Sequence, residues 1–190
     1  MTATRNDRSM TGNGAQARPR KVVWLHWLTV LCLLLAAGLI FARDELDGRA
    51  LRQWLLEGHR HFGLLVLLLF AARVLVRIRV GRLAAEGQSS RLLRLAAGIT
   101  HLALYAVLLT LPLLGWALSN AEGKPVHFLG LTLPALVGED EDLADNLLDW
   151  HQDAAWVLLA LACVHVGAAL WHHFILRDGT LRGMLPQRRR

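Results

Sequence analysis

Long apolar runs that contain almost no charge constrain this chain more than any other feature. Residues 22–41, 95–118 and 154–176 carry no Asp, Glu, Lys or Arg, and residues 61–72 are apolar and continue to residue 80 with arginines at one edge. A helix needs about 20 apolar residues to cross a bilayer, and arginines near one end of a span can extend to the interface. The sequence therefore predicts an all-α integral membrane four-helix bundle, with spans at about 22–41, 58–79, 95–118 and 150–176.

A water-soluble helical bundle would show a polar stripe along each helix, and the third and fourth runs show none. The first run is about twice as long as the core of a signal peptide, and no small-residue cleavage site follows it, so we interpret it as an uncleaved anchor. A chain of 190 residues has room for one compact unit. We expect a four-helix domain at residues 21–186, between a disordered cytoplasmic tail at 1–20 and a basic tail at 187–190.

Lys and Arg are divided unequally between the two sides of the predicted bundle. Sixteen of the 21 basic residues fall in the N-terminal tail, the connection between the second and third spans, and the C-terminal tail. Because basic residues concentrate in cytoplasmic loops, we predict that both termini are cytoplasmic. The net charge of +6 would also suit a nucleic-acid-binding protein. Basic residues that flank spans are better explained by topology and by contact with anionic lipid, so we expect a membrane partner and no nucleic acid.

Histidines inside the spans point to the chemistry, because ionisable residues in a membrane are costly and usually functional. His151 and His165 are 14 residues apart, close to four helical turns. They therefore lie on one helix face, about 21 Å apart along the axis. That spacing suits two haems stacked at different depths. Since successive spans alternate in direction, His59 falls at the height of His151, and His26 lies in the inner half with His165.

Spacing alone leaves part of the ligand set open. His59 and His61 are two residues apart and point to opposite helix faces. We favour His59, because Gly63 lies one turn later and would let a flat macrocycle approach the backbone. His172 shares a face with His165 and matches the depth of His26 rather better, so both remain candidates for the inner position.

Other functions also use histidines in spans, notably metal-ion carriers and proton relays. A transporter normally shows intramembrane Asp or Glu, or broken helices, and these spans carry no acidic residue away from their ends. Covalently attached c-type haem is excluded because no C-x-x-C-H motif occurs, and Cys32 and Cys163 lie far apart within apolar runs. A non-haem helical transporter or scaffold is the lowest-ranked interpretation.

A set of short motifs occurs in order along the chain. They are Trp24-Leu25-His26-Trp27, His59-x-x-x-Gly63 with Arg73 and Arg77, His101-x-x-x-Tyr105, Leu111-Pro112-Leu113-Leu114-Gly115, Gly130-Leu131-Thr132-Leu133-Pro134, Trp150-His151, His165-x6-His172-His173-Phe174, Arg177-Asp178-Gly179-Thr180-Leu181 and Met184-Leu185-Pro186. Each motif is modest, but the ordered set resembles the bacterial cytochrome b561 family. The similarity extends from about Lys21 to Pro186, nearly the whole chain.

The resemblance implies a four-helix cytochrome of the bacterial inner membrane that binds two haem b groups. Its iron ligands would be the histidines that match His26, His59, His151 and His165, which favours His165 over His172. Within the family, the sequence resembles superoxide oxidases, which pass electrons from superoxide outside to ubiquinone in the membrane. The wider family includes cytochrome b subunits of hydrogenases and formate dehydrogenases. The alternative is therefore an electron-transfer subunit, with a dehydrogenase docked on the acidic outer loop.

Positive charge should surround the site of an anionic substrate, but the outer side has five basic and 12 acidic residues. The superoxide hypothesis therefore requires the outer basic residues to cluster over the outer haem. We expect three of them to steer superoxide, namely Arg52, Arg60 and Lys124, with Arg43 and Arg49 beside them. For ubiquinone we predict a site in the cytoplasmic half near His101 and Tyr105.

Overall fold

Four long helices account for most of the chain in the computed structural model, which describes residues 19–80 and 91–185. They are α1 (Arg20–Glu45), α2 (Arg49–Val80), α3 (Arg91–Ala121) and α4 (Glu141–Phe174). All four are long and apolar enough to cross a membrane. The prediction of an all-α membrane bundle of four helices is confirmed. Most of the predicted N-terminal tail and all of the C-terminal tail at 187–190 lie outside the described residues.

Apolar side chains cover the outward faces of the helices, as expected where lipid is the solvent. Trp54, Ile78 and Leu102 are each more than 70% exposed. Inside the bundle, a small core lies at mid-depth and consists of the buried side chains of Cys32, Val66, Leu69 and Leu108, against which Leu158 packs. Lipid contact and a thin core together replace the large interior of a soluble domain.

The helices pack unequally against one another. Close backbone packing joins α1 to α2, α3 to α4 and α2 to α3. Within the described residues, neither α1 nor α2 makes comparable backbone contact with α4. The backbones of α1 and α2 are therefore further from α4 than from each other, and side chains such as Leu158 make the contacts between them.

The first helical turns of α2 and α4 lie outside the predicted spans. Each helix begins nine residues before its span, at Arg49 and at Glu141. The side chain of Asp140 caps α4 by accepting a 2.9 Å hydrogen bond from the Leu143 amide, and Glu141 and Asp142 complement the positive end of the helix dipole. The connection that the sequence placed at residues 119–149 is therefore shorter, since only residues 122–140 are outside the helices.

This outer connection is ordered and folded back on itself. Its strands β1 (His127–Phe128) and β2 (Leu131–Thr132) form a small antiparallel hairpin. The buried side chain of Asn120 accepts a 2.9 Å hydrogen bond from the Leu136 amide. The Ala121 carbonyl accepts one of 3.0 Å from the amide of Asp140. The connection is thereby fixed to the ends of α3 and α4, at what the charge pattern predicts to be the outer side.

At the opposite end, the chain after α4 folds back towards α1. We call residues 175–185 the C-terminal clasp. The ring Nδ1 of His172 and the Asp178 carboxylate are 2.5 Å apart, and the Thr180 amide donates to the same carboxylate at 2.9 Å. Near a short 3₁₀ helix (Arg182–Met184), the indole N–H of Trp27 donates to the Met184 carbonyl at 2.7 Å. The clasp therefore joins the start of α1 to the end of α4, at what the charge pattern predicts to be the cytoplasmic side.

Candidate functional site

Two histidines from helices that do not pack closely meet in the outer half of the bundle. The ring centroids of His59 on α2 and His151 on α4 are 6.1 Å apart, with an interplanar angle of 79°. Both side chains are half-buried. We call them the outer pair.

Backbone carbonyl groups fix the tautomer of each ring in the outer pair. The Nδ1 atom of His59 lies 2.9 Å from the Ala36 carbonyl of α1, and Nδ1 of His151 lies 3.1 Å from the Leu111 carbonyl of α3. A carbonyl oxygen can only accept, so each Nδ1 must carry the proton. In the neutral ring this leaves the lone pair on Nε2. Metal-binding histidines usually donate their second ring nitrogen in this way.

Two glycines near the outer pair leave room where another residue would have a side chain. A Cβ atom at Gly115 would lie 3.0 Å from Cε1 and 3.3 Å from Nδ1 of His151, so only glycine lets α3 pack this closely against the ring. At Gly63 a Cβ would meet nothing within 4 Å, which leaves open space one turn after His59. His61 lies apart from the pair. Its Nδ1 donates to the Glu57 carbonyl at 2.8 Å.

Three histidines meet in the inner half of the bundle. His165 of α4 lies 6.3 Å from His26 of α1 and 5.3 Å from His101 of α3, measured between ring centroids. We call them the inner cluster. His172, the competitor of His165 by spacing, is instead hydrogen-bonded to Asp178 in the clasp.

Arg73 and Tyr105 border the inner cluster. The Nη2 atom of Arg73 lies 3.5 Å from Nδ1 of His26. Its Cζ atom lies 5.7 Å from the centroid of the Tyr105 ring, which also packs edge-on against Phe70. The predicted quinone residues His101 and Tyr105 are thus both close to the inner histidines. Arg73 places a positive charge between Tyr105 and His26. The spacing of histidines in the sequence does not predict this position of Arg73.

Three observations test whether these residues fit haem. Imidazole nitrogen binds a metal at about 2 Å, and the centre of the ring lies about 1 Å further away. Two rings that bind one iron from opposite sides therefore have centroids roughly 6 Å apart. The centroid distances of the outer pair and of His26 and His165 match this value. Both pairs span helices without close backbone packing. The indole Nε1 of Trp116, the residue after Gly115, is buried without a partner among the described residues, which leaves a buried donor for an acceptor on a bound group. The residues fit.

The predicted steering residues do not form one patch. Arg60 pairs with Glu57 at 2.8 Å and lies 3.7 Å from Glu122, which also holds Lys124 at 2.9 Å. These two cations are therefore largely compensated. Arg52 instead lines a cavity of about 360 Å³ at the outer ends of α1 and α2, whose other lining residues are Arg43, Gly48, Arg49 and Gln53.

Comparison with known proteins places this arrangement in a family. A model of the family described as prokaryotic cytochrome b561 matches residues 17–187. The chain belongs to the prokaryotic cytochrome b561 family. It is 32% identical to cytochrome b561 homolog 1 of Escherichia coli (strain K12) over 172 residues, which cover 88% of this chain and 96% of that protein.

Two further relatives have similar coverage. The probable superoxide oxidase CybB of Yersinia pestis is 29% identical over 167 residues, covering 88% of this chain and 94% of the relative. Cytochrome b561 homolog 2 of Escherichia coli (strain K12) is 32% identical over 167 residues, which cover 84% of this chain and 86% of that protein. The family resemblance drawn from the sequence motifs is confirmed. This cytochrome b561 is thus a multi-pass membrane protein of a family that binds haem b and transfers electrons.

Several residues of the site were not identified from sequence as part of it. Ala36 and Leu111 contribute through their backbone carbonyl groups, so the identity of their side chains gives no indication of this role. In the sequence, Gly115 stands out only as part of the motif Leu111-Pro112-Leu113-Leu114-Gly115. A glycine at the height of a paired histidine, between the large residues Leu114 and Trp116, is the signal that would have indicated contact with His151.

Proposed function

We propose that this cytochrome b561 binds two haem b groups and passes electrons from superoxide at its outer side to ubiquinone in the membrane. The outer haem would be held by His59 and His151, beside Gly63, and the inner haem by His26 and His165. Two superoxide anions each lose one electron and become oxygen, while one ubiquinone takes up two electrons and two protons. Haem with two histidine ligands supplies one-electron transfer without an open iron position.

The observation that carries this proposal is the presence of two histidine pairs at two depths. The outer rings have Nδ1 fixed by carbonyl groups, which directs the Nε2 lone pairs to a common ligand. His151 and His165 lie on one face of α4, about 21 Å apart along its axis. Between the two levels lies the apolar core around Val66, and apolar packing is unfavourable for water and ions. Two redox centres separated by an apolar layer suit electron transfer across the membrane.

Superoxide would be attracted by the arginine-lined cavity at the outer ends of α1 and α2. Arg52 is the predicted steering residue that lines it, whereas Arg60 and Lys124 share carboxylate partners. Arg43, Arg49 and Arg52 bring three guanidinium groups to one opening, where Arg49 and Arg52 would attract an anion and Arg43 is paired with Asp44. The name of the Yersinia pestis relative supports superoxide as the donor.

Ubiquinone would bind in the inner half, beside His101 and Tyr105. A quinone carbonyl accepts hydrogen bonds, and both side chains can donate one. The nearby Arg73 guanidinium would stabilise negative charge that develops on the quinone oxygens. The proximity of His101 to His165 would keep the electron transfer distance short.

Purified protein supplied with superoxide and a ubiquinone analogue tests the proposed reaction. We expect superoxide-dependent quinol formation that is lost in His59→Ala and retained in His61→Ala. His61 is the matched control because it lies two residues away and bonds to its own helix. Equal quinol formation by the unaltered protein and His59→Ala would contradict the proposal.

The acidic connection between α3 and α4 favours a second candidate function, an electron-transfer subunit that docks a dehydrogenase. Glu139, Asp142 and Asp145 are exposed on this side, and a basic protein surface would complement them. Stoichiometric co-purification of a dehydrogenase, together with no quinol formation from superoxide, would favour this function over the oxidase.

A further inference from the structure

Arg43, near the outer end of α1, has an unusual environment. Its Nε atom is buried without a hydrogen-bond partner among the residues that the structure describes. Among the described residues its terminal Nη1 contacts the neighbouring Asp44 at 3.2 Å, and the side chains of Arg43 and Asp44 are 33% and 62% exposed. Buried donors almost always find an acceptor, and guanidinium groups bind carboxylates best through two nitrogens at once. The free Nε therefore indicates an acceptor that the described chain does not itself provide.

The position of Arg43 relates this donor to the outer histidine pair. Ala36, whose carbonyl accepts from His59, lies seven residues before Arg43 on α1. Seven residues are two helical turns, so both positions lie on one face and about 10 Å apart along the axis. Arg43 also lies close enough to His59 to interact electrostatically with its ring. The guanidinium is therefore on the outward side of the outer pair, on the helix face that contacts His59.

We propose that Arg43 binds a propionate carboxylate of the haem held between His59 and His151, and thereby raises the potential of that haem. This inference rests on the proposed function, because it requires a haem at the outer pair. Arg43 would act as a positioning residue that reaches the iron only through the bound carboxylate. The partly exposed Asp44 would be its weaker, second partner.

Arg60 is a poorer candidate for the same role. It also lies near His59, but Glu57 and Glu122 already take its guanidinium. Its side chain is only 12% exposed, so a third carboxylate would have to displace one of these partners. Arg43 has a donor available without breaking a buried pair.

Redox titration of the purified haem protein tests the inference, with Arg49→Gln as the matched control. Arg49 lines the same outer cavity, so its loss removes the same charge without removing the buried Nε. The haem component that is missing in His59→Ala, or in His151→Ala, identifies the outer haem. In Arg43→Gln we expect the ferrous-to-ferric ratio of this haem at fixed potential to fall about tenfold, which is 59 mV for a one-electron couple. Arg43→Lys should lower this ferrous-to-ferric ratio less than Arg43→Gln does. Arg49→Gln should change the ratio much less than Arg43→Gln.

A second measurement reports on the carboxylate itself. Haem labelled with ¹³C at its carboxyl carbons gives redox-induced infrared bands, and these should shift in Arg43→Gln but not in Arg49→Gln. The inference is overturned if both variants change the potential equally, or if the labelled bands of Arg43→Gln match those of the unaltered protein. If the unaltered protein has no haem component that depends on His59 or His151, the proposed outer haem itself is wrong.

Discussion

Single hydrogen bonds decide which ring nitrogen of the outer histidines can bind iron. The carbonyls of Ala36 and Leu111 hold the Nδ1 protons of His59 and His151. These acceptors belong to α1 and α3, whereas the histidines belong to α2 and α4. All four helices therefore contribute to one site, and a small shift of any helix would disturb it.

Gly115→Ala should weaken haem binding at the outer pair. The added Cβ would lie 3.0 Å from Cε1 of His151, closer than packed atoms normally approach, so the ring must move away from the Leu111 carbonyl. We expect the haem content of the purified variant to fall, measured by its pyridine haemochrome spectrum.

Gly98→Ala is the control for this substitution. It makes the same change in the same helix, where a Cβ meets nothing within 4 Å, and alanine favours helix more than glycine does. Equal haem loss in both variants would mean that contact with His151 is not the cause.

At the level of secondary structure elements, α4 shows what sequence patterns miss. Its span was recognised from apolar residues, but its first turns are polar and were assigned to the connection. The signal was present, since Asp140 followed by Glu141 and Asp142 is typical of a helix N-terminus. Hydropathy identifies where lipid surrounds a helix, and it does not report where the helix begins in water.

Asp140→Ala should destabilise the start of α4 by about 1 kcal/mol, because the Leu143 amide loses its capping acceptor. Amide hydrogen exchange at residues 141–149 should become faster. Asp145→Ala removes the same charge from an exposed position in the same helix without removing the cap. Equally fast exchange in both variants would attribute the effect to charge rather than to capping.

The clasp should respond to acid. Burial raises the pKa of Asp178, but hydrogen bonds from His172 and Thr180 outweigh burial and leave that pKa below its ordinary value. A lowered carboxyl pKa means that the clasp favours the ionised form. Its stabilisation is therefore complete above the ordinary value of about 4 and is lost as the pH falls through the lower folded value.

Amide exchange across residues 178–185 measures the state of the clasp. We expect slow exchange at pH 7 in the unaltered protein and faster exchange in Asp178→Asn at the same pH. Acid below about pH 4 should open the unaltered clasp. If Asp178→Asn exchanges as slowly as the unaltered protein, the pair with His172 does not hold the clasp.

On the scale of the whole molecule, the bundle separates two histidine groups by depth. That much follows from sequence, because apolar runs define the spans and alternating direction sets the height of each histidine. The lateral arrangement does not follow, since it depends on which helices pack closely. The contact between His101 and His165 therefore could not be predicted from the spacing of histidines in the sequence. For the same reason, the contact of Arg60 with Glu122, 62 residues later in the chain, depends on how α2 and α3 pack, which no local pattern encodes.

The central claim is that the two histidine levels hold one haem each, and the ratio of haem b to protein tests it most directly. Pyridine haemochrome spectra of purified protein should give two haems per chain. His151→Ala should remove the outer haem and His26→Ala the inner one, each leaving about one. A ratio of one in the unaltered protein, or an unchanged ratio of two in either variant, would contradict two haems held by these pairs.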